Sequence, residues 1–402
     1  MPGTTTADQF GVIRELTISG AEQGPLAGTS FVAKELFDVE GYVTGCGNPD
    51  WERTHEPASR TAPAVDRMLA AGCTLRGKTN MDELAYGMDG INVHYGTPLN
   101  AQFPDREPGG SSSGSASAVA GGVVEYALGS DTAGSVRVPA CYCGIFGFRP
   151  THGRVPIAGV VPLAPSLDTV GWFSRTASGL KVCGSVLLGQ SFVDSGFRSG
   201  VGTILLAQDA FDACSEEIKP ALTGALRALD QCGYKVLEIS FAALGWDNFV
   251  NTFRRVQGFE CWQVHGQWIT DAKPQFGDAV RKRFEIASTV TEEQFAEASA
   301  FRTQMQGQFG KLLNAPRTML CLPTVPALPP LLGATAEEID QNRINTMKMS
   351  VLAPLLGTPQ VAVPVKLSET SFTGLSFMAA AGGDEMLLDC AVETAKLKRF
   401  AR

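Results

Sequence analysis

Gly109-Gly110-Ser111-Ser112-Ser113-Gly114-Ser115, followed closely by Asp131-Thr132-Ala133-Gly134-Ser135, is the stretch on which the reading of this chain turns. By composition alone a glycine-serine tract is a flexible linker. This one feeds directly into an apolar segment of small residues, Ser115 to Leu128, which a linker does not do. We expect a helix there, buried beneath two serine loops, because Ala, Ser and Gly let neighbouring backbones come close. The Lys-Ser/Thr pair that completes a phosphate-cradling loop is absent. Ala133-Gly134-Ser135-Val136-Arg137 lacks the final glycine of a nucleophile elbow. No histidine lies in the run, so a serine there needs a different base. Lys34, expected at the end of the short apolar strand Ser30-Phe31-Val32-Ala33, is the candidate.

Working outward, Thr61 to Ala71 reads as a helix with Pro63 in its first turn and a stop at Gly72, and Thr74 to Thr79 reads as a strand. Val201 to Ala207 is predicted to be a buried strand. Ile218, Leu222, Ala225, Leu226 and Leu229 form a helical stripe ending at Gly233, and Tyr234 to Ile239 returns as a strand. That is a crossover unit within a sheet. Thr252 to Leu313 reads mostly helical. Leu322 to Pro330 reads as a proline-rich turn region, followed by late strands at Pro359–Pro364 and Thr373–Met378. The sum is an α/β chain: one domain, with a mixed central sheet covered by helices.

Composition removes several functions. The 402 residues, 44% hydrophobic and 18% charged, describe an ordinary globular chain. A net charge of -8 argues against nucleic acid as the main partner. The one tight basic cluster, Arg281-Lys282-Arg283, is followed by Glu285 and reads as a solvated helix face. Ten irregularly spaced cysteines read as free thiols of a reducing compartment. Met1 to Glu15 has no signal-peptide pattern, and no apolar run approaches the roughly 18 residues of a spanning helix, so we expect a cytoplasmic protein without membrane attachment. His55, His94, His152 and His265 sit in no nucleophile motif, and no two stand at zinc-ligand spacing.

The run from Gly109 through Gly153 resembles the amidase signature family, in the glycine-serine tract, in Asp131-Thr132-Ala133-Gly134-Ser135-Val136-Arg137-Val138-Pro139 and in Gly144-Ile145-Phe146-Gly147-Phe148-Arg149-Pro150-Thr151. The resemblance continues in Gly24 to Lys34 and in Leu356 to Pro364. It implies a single-domain amidase signature fold, with helices on both faces of a mixed sheet. Its divisions are a core over about 24–175, a variable substrate-pocket region over about 176–320 and C-terminal strands and a helix over about 321–402. It also implies that Ser135 is the nucleophile, Ser111 a bridging serine held by a cis Gly110–Ser111 bond, and Lys34 the base. The two serines stand 24 positions apart, at 111 and 135, as the family's do. The amides of Thr132, Ala133, Gly134 and Ser135 would form the oxyanion hole, with no metal or cofactor. A buried lysine without a carboxylate partner loses its charge to desolvation and so serves as a base. Asp131 is expected to cap or orient the loop, capping first.

Within the family, the chain is most similar to the small plant-type amidases that hydrolyse indole-3-acetamide to the auxin indole-3-acetic acid. The matching stretches include Thr44 to Trp51, His94-Tyr95-Gly96-Thr97-Pro98 and Ala140 to Gly153. The expected partner is therefore a small-molecule amide, with Met88, Phe146 and Trp172 as pocket contacts. Two other readings remain: a broad-specificity aliphatic or aryl amidase, and a non-catalytic amidase-like binding protein. The chain departs from the family at Glu35, where Asp is usual, at Ala133, where Gly is usual, and over Phe372 to Phe377. The Ala133 methyl is expected either to narrow the acyl pocket or to weaken turnover.

Overall fold

The computed structural model describes residues 6–189, 202–241 and 245–401. Its strands are β1 (Val12–Ile18), β2 (Ser30–Lys34), β3 (Thr74–Thr79), β4 (Tyr126–Asp131), β5 (Phe146–Arg149) and β6 (Thr169–Ser174), then β7 (Thr203–Ala207), β8 (Lys235–Ile239), β9 (Thr318–Pro323), β10 (Gln360–Lys366) and β11 (Phe372–Met378). They form one 11-stranded sheet in the order β1-β3-β2-β4-β6-β5-β10-β11-β9-β7-β8. It is mixed: β2 lies parallel to both β3 and β4, β7 is parallel to β8 and β9, and the centre is antiparallel. The predicted crossover is present, as β7, the helix Lys219–Gln231 and β8. Val201, the first residue predicted for that unit, lies outside the described residues.

The centre of the sheet is buried on both faces, and alternation along the strands explains how. Val32 and Ala127 meet a cluster containing Ala116, Val119, Val136 and Ala140, contributed by the helices Ser113–Ala120 and Arg137–Tyr142 and their approaches. Phe31, Phe148 and Trp172 belong to the other, larger core. On that side a Cβ added at Gly184, in the helix Ala177–Leu188, would meet Trp172 at 2.9 Å and Leu388, of the helix Asp384–Thr394, at 2.8 Å. The two helices are thus seated directly on the sheet.

Two expectations need correction. The small-residue helix does not reach Leu128: it ends at Ala120, and β4 begins at Tyr126. Gly121 and Gly122 are poor helix formers, and the Val, Tyr and Leu that follow suit a buried strand. The predicted turn region at Leu322 begins inside β9, whose Leu320 to Pro323 pair with β11. Its proline stands at the last strand position, where no ladder bond beyond it is lost.

The helical region comprises Trp246–Ala272, Asp278–Ala287 and Glu292–Leu313. Phe249, Phe253, Val256, Cys261 and His265 recur at three- to five-residue intervals and turn one face of the first helix inward. Thr291 with Gln294, and Thr335 with Glu338, form capping boxes that fix the starts of Glu292–Leu313 and of Ala336–Ser350. Among the described residues no helix is long and apolar enough to cross a membrane. All ten cysteines are free thiols, nine of them buried.

Candidate active site

Three adjacent strands and the two serine loops build the site. Lys34 is the last residue of β2, fully buried, and its Nζ lies 2.7 Å from Ser111 Oγ and 2.9 Å from Ser130 Oγ. Ser130 sits on β4, the parallel neighbour of β2, so sheet pairing sets its distance from the lysine. The sequence reading missed Ser130; its place beside Asp131 on a buried strand was the available signal. The Gly110–Ser111 peptide is cis. Ser112 N donates to the Ser135 carbonyl at 3.2 Å and so ties the two serine loops together.

Burial is the largest influence on the Lys34 amine and lowers its pKa from 10.5 to about 7, against the pull of Asp82, Asp131 and Asp168. Asp82 was not anticipated. Its backbone N–H donates to the Ser111 carbonyl at 3.2 Å. Its Oδ1 is buried without a hydrogen-bond partner, and a Cβ at Gly110 would come within 2.3 Å of it, so only glycine admits this approach. Burial, then the neighbouring Asp89, pushes the Asp82 carboxyl up to about 7.

The Asp131–Ser135 loop hangs from a buried charge cluster. Asp131 pairs with Arg137 at 2.7 Å and with Arg149 at 3.1 Å, and all three side chains are shielded from solvent. It also accepts from Gly134 N and Val136 N, each at 3.1 Å. Burial alone would raise this carboxyl; the Arg137 and Arg149 guanidiniums and the Val136 amide outweigh it and hold the group well below the usual carboxylate range. Asp131 therefore both caps and orients, and the capping-first expectation understated it. Arg137 carries the restraint onward to the Ser350 carbonyl and Gln360 Oε1, each at 2.8 Å.

One member of the expected oxyanion hole drops out. The Gly134 amide is spent on Asp131, which leaves Thr132, Ala133 and Ser135. Thr132 is held by its hydroxyl to Asp168 at 2.6 Å. Gly134 has φ +126°, and a Cβ there would meet Ser350 Cβ at 2.9 Å, so both conformation and space require glycine.

Ser135 and Ala133 open onto a narrow cleft. Tyr86 and Met88 line it from the segment after β3; Gln257, Arg283, Arg343 and Met347 come from the helices. Met88 thus stands where it was expected. Phe146 and Trp172 do not: both are fully buried in the sheet core, with Trp172 stacked on Phe148 and donating Nε1–H to the Leu180 carbonyl. Arg283 overturns the reading of Arg281-Lys282-Arg283 as a solvated face. Arg281 does sit outside, paired with Asp278 and Glu285, but Arg283 turns in, 13% exposed, and donates to the Tyr86 carbonyl at 2.8 Å. None of the four histidines lines the cleft; His265 donates Nε2–H to the Pro162 carbonyl, and burial lowers its pKa to about 4.

A buried lysine with a lowered pKa against one serine, next to a second serine at a cleft, is an arrangement for amide acyl transfer. The model of the amidase family matches residues 5–388. The chain belongs to the amidase family. This amidase is 37% identical to Amidase 1 of Arabidopsis thaliana over 95% of its own length and 97% of that protein's. Against the pea translocon at the outer membrane of chloroplasts 64 it is 35% identical over 91% of its length, covering 65% of that protein. Among solved structures, the crystal structure of an amidase superposes with a TM-score of 0.83 at 30% identity, covering 93% of this chain and 86% of that one. The mixed sheet between helical layers is therefore the fold of this family, and hydrolysis of amides is its activity.

Proposed function

We propose that this amidase converts a small primary carboxamide to its carboxylic acid and ammonia through an acyl-enzyme on Ser135. The observation that carries the reading is the Lys34 Nζ–Ser111 Oγ contact of 2.7 Å inside a fully buried site. Neutral Lys34 takes the Ser111 hydroxyl proton while Ser111 takes that of Ser135, and Ser135 Oγ attacks the amide carbon. The amides of Thr132, Ala133 and Ser135 stabilise the oxyanion, each such donor contributing about 2.7–4 kcal/mol. The proton returns through Ser111 to the leaving nitrogen and ammonia departs. A water then repeats the relay, breaks the ester and restores Ser135.

For the acyl group we propose indole-3-acetyl, so that the substrate is indole-3-acetamide. The resemblance to the small plant-type amidases supports this, as do Tyr86, Met88 and Met347 in the cleft lining, which suit an aromatic ring. A broader amide range is favoured by one observation: Gln257, Arg283 and Arg343 share that lining, and an indole ring offers their N–H donors no acceptor atom. We place the enzyme in the cytoplasm, a reading supported by its ten free thiols.

The test is ammonia release from indole-3-acetamide, phenylacetamide and an aliphatic amide. Ser135→Ala is expected to lose about 10⁴-fold or more of kcat. Lys34→Ala and Ser111→Ala are expected to lose about 10²–10⁴-fold each. Near-normal turnover in either relay variant refutes the relay, and release from the aliphatic amide alone refutes the indole assignment. No release from any of the three refutes hydrolysis and favours a binding role.

A further inference from the structure

Two arginines on separate helices line the Ser135 cleft, and a third, on another helix, stands close enough to both to feel their charge. Arg283, on Asp278–Ala287, and Arg343, on Ala336–Ser350, line it directly. Arg254 lies on Trp246–Ala272, three residues before Gln257, which also lines it, so the two share a helix face. Two of the guanidiniums have counter-charges: Arg283 pairs with Asp89 at 3.1 Å and Arg343 with Asp340 at 2.6 Å. Arg254 makes no hydrogen bond or ion pair among the described residues. Burial first, then Arg343, lowers its pKa below the ordinary arginine value; Arg283 adds to this, and Asp340 and Tyr86 offset it only in part.

Nearby acids do not close the gap. Glu107 is pushed by burial up to about 9 and is neutral at pH 7; Asp82, itself pushed up to about 7, is shared between Arg283 and the Lys34 amine. Arg283 and Arg343 thus have ion-pair partners, and Arg254 is the guanidinium without one among the described residues. A half-buried cation next to two like charges is costly to maintain. Asp340 is 55% exposed, so its hold on Arg343 is weak and exchangeable for a better-placed anion.

We propose that the cleft selects amides whose acyl part carries a carboxylate, the half-amides of dicarboxylic acids, with Arg254 and Arg343 receiving the anion and Ser135 the carboxamide. A planar carboxylate suits the guanidinium fork, and such charge-assisted pairs are about twice as strong as neutral hydrogen bonds. The proposal rests on the Ser135 hydrolase reading and gives its broader form a definite acyl chemistry.

The experiment is ammonia release from matched pairs: butyramide with succinamate, and phenylacetamide with 4-carboxyphenylacetamide. Each is run on the wild type, Arg254→Gln, Arg343→Gln and the charge-retaining Arg254→Lys. In the wild type the anionic member of at least one pair is expected to have a kcat/KM about tenfold or more above its neutral partner. Both Gln variants are expected to lower that ratio about tenfold through KM, while Arg254→Lys keeps most of it, and rising salt narrows it. The ratio is read within one protein, so a variant that folds poorly loses both members alike and leaves it unchanged. Equal or better turnover of the neutral member in both pairs overturns the proposal, as does a ratio that survives in both Gln variants. No ammonia from any amide overturns the hydrolase reading itself, and the proposal with it.

Discussion

At Lys34 the deciding balance is between desolvation, which expels the proton, and three aspartates, which retain it, and it settles near pH 7. The rate is therefore expected to rise with pH through about 7 as the amine becomes neutral. Asp82 is the largest of the charges favouring the ammonium, so Asp82→Asn should move this limb to lower pH in a kcat/KM profile. A limb that stays in place or moves up contradicts the assignment. The sign for stability is also fixed: the folded pKa lies below the unfolded 10.5, so between about 7 and 10.5 the unfolded chain holds the extra proton, and this group makes unfolding harder as pH rises. How much a sequence discloses is visible in two residues of this site. Lys34 was legible because it ends an apolar strand and falls in a recognisable pattern. Arg283 was not, because three consecutive basic residues read as one face although helical neighbours point about 100° apart. The signal was there in the stripe: Val280, Phe284 and Ala287 are buried, and Arg283 lies along its edge.

The second serine loop joins β4 to the helix Arg137–Tyr142, and both of its ends are fixed. Asp131 grips it from the strand and Arg137 from the helix. Between them Gly134 adopts φ +126° with Ser350 close by. Gly134→Ala should therefore cost about 1–3 kcal/mol of stability, measured by denaturant midpoint, and lower kcat by moving the Ser135 amide. An unchanged midpoint and rate would show that the loop relaxes freely. The chemistry of this element was readable from its glycines and serines, but its edges were not. Small residues serve equally in a buried helix and a buried strand, so Ser115 to Leu128 held no internal mark of its division, save the paired glycines at 121 and 122. The oxyanion amides show the same limit: nothing in the letters says that Gly134 is already committed to Asp131.

Across the whole molecule, order should grade from the middle of the sheet outward. Every residue of β4, β5 and β6 is buried, whereas β8 at one edge is mostly exposed. Hydrogen exchange should find the central amides protected up to global unfolding and those of β8 opening earlier; equal protection of both would contradict this. The fold class followed from alternating strand and helix signals in the sequence, whereas the strand order, which carries β9 from a proline-rich stretch into the sheet, depended on long-range pairing no local pattern contains. The sheet and its loops supply Lys34, Ser111, Ser130 and Ser135, while the helices supply Gln257, Arg283, Arg343 and Met347. The helices thus form one wall of the cleft, facing Tyr86, Met88 and the serine loops on the sheet side. Exchanging a few side chains of the helical wall is expected to shift which amide is accepted with the proton relay undisturbed, which makes that wall an interchangeable faceplate over a fixed cutting edge.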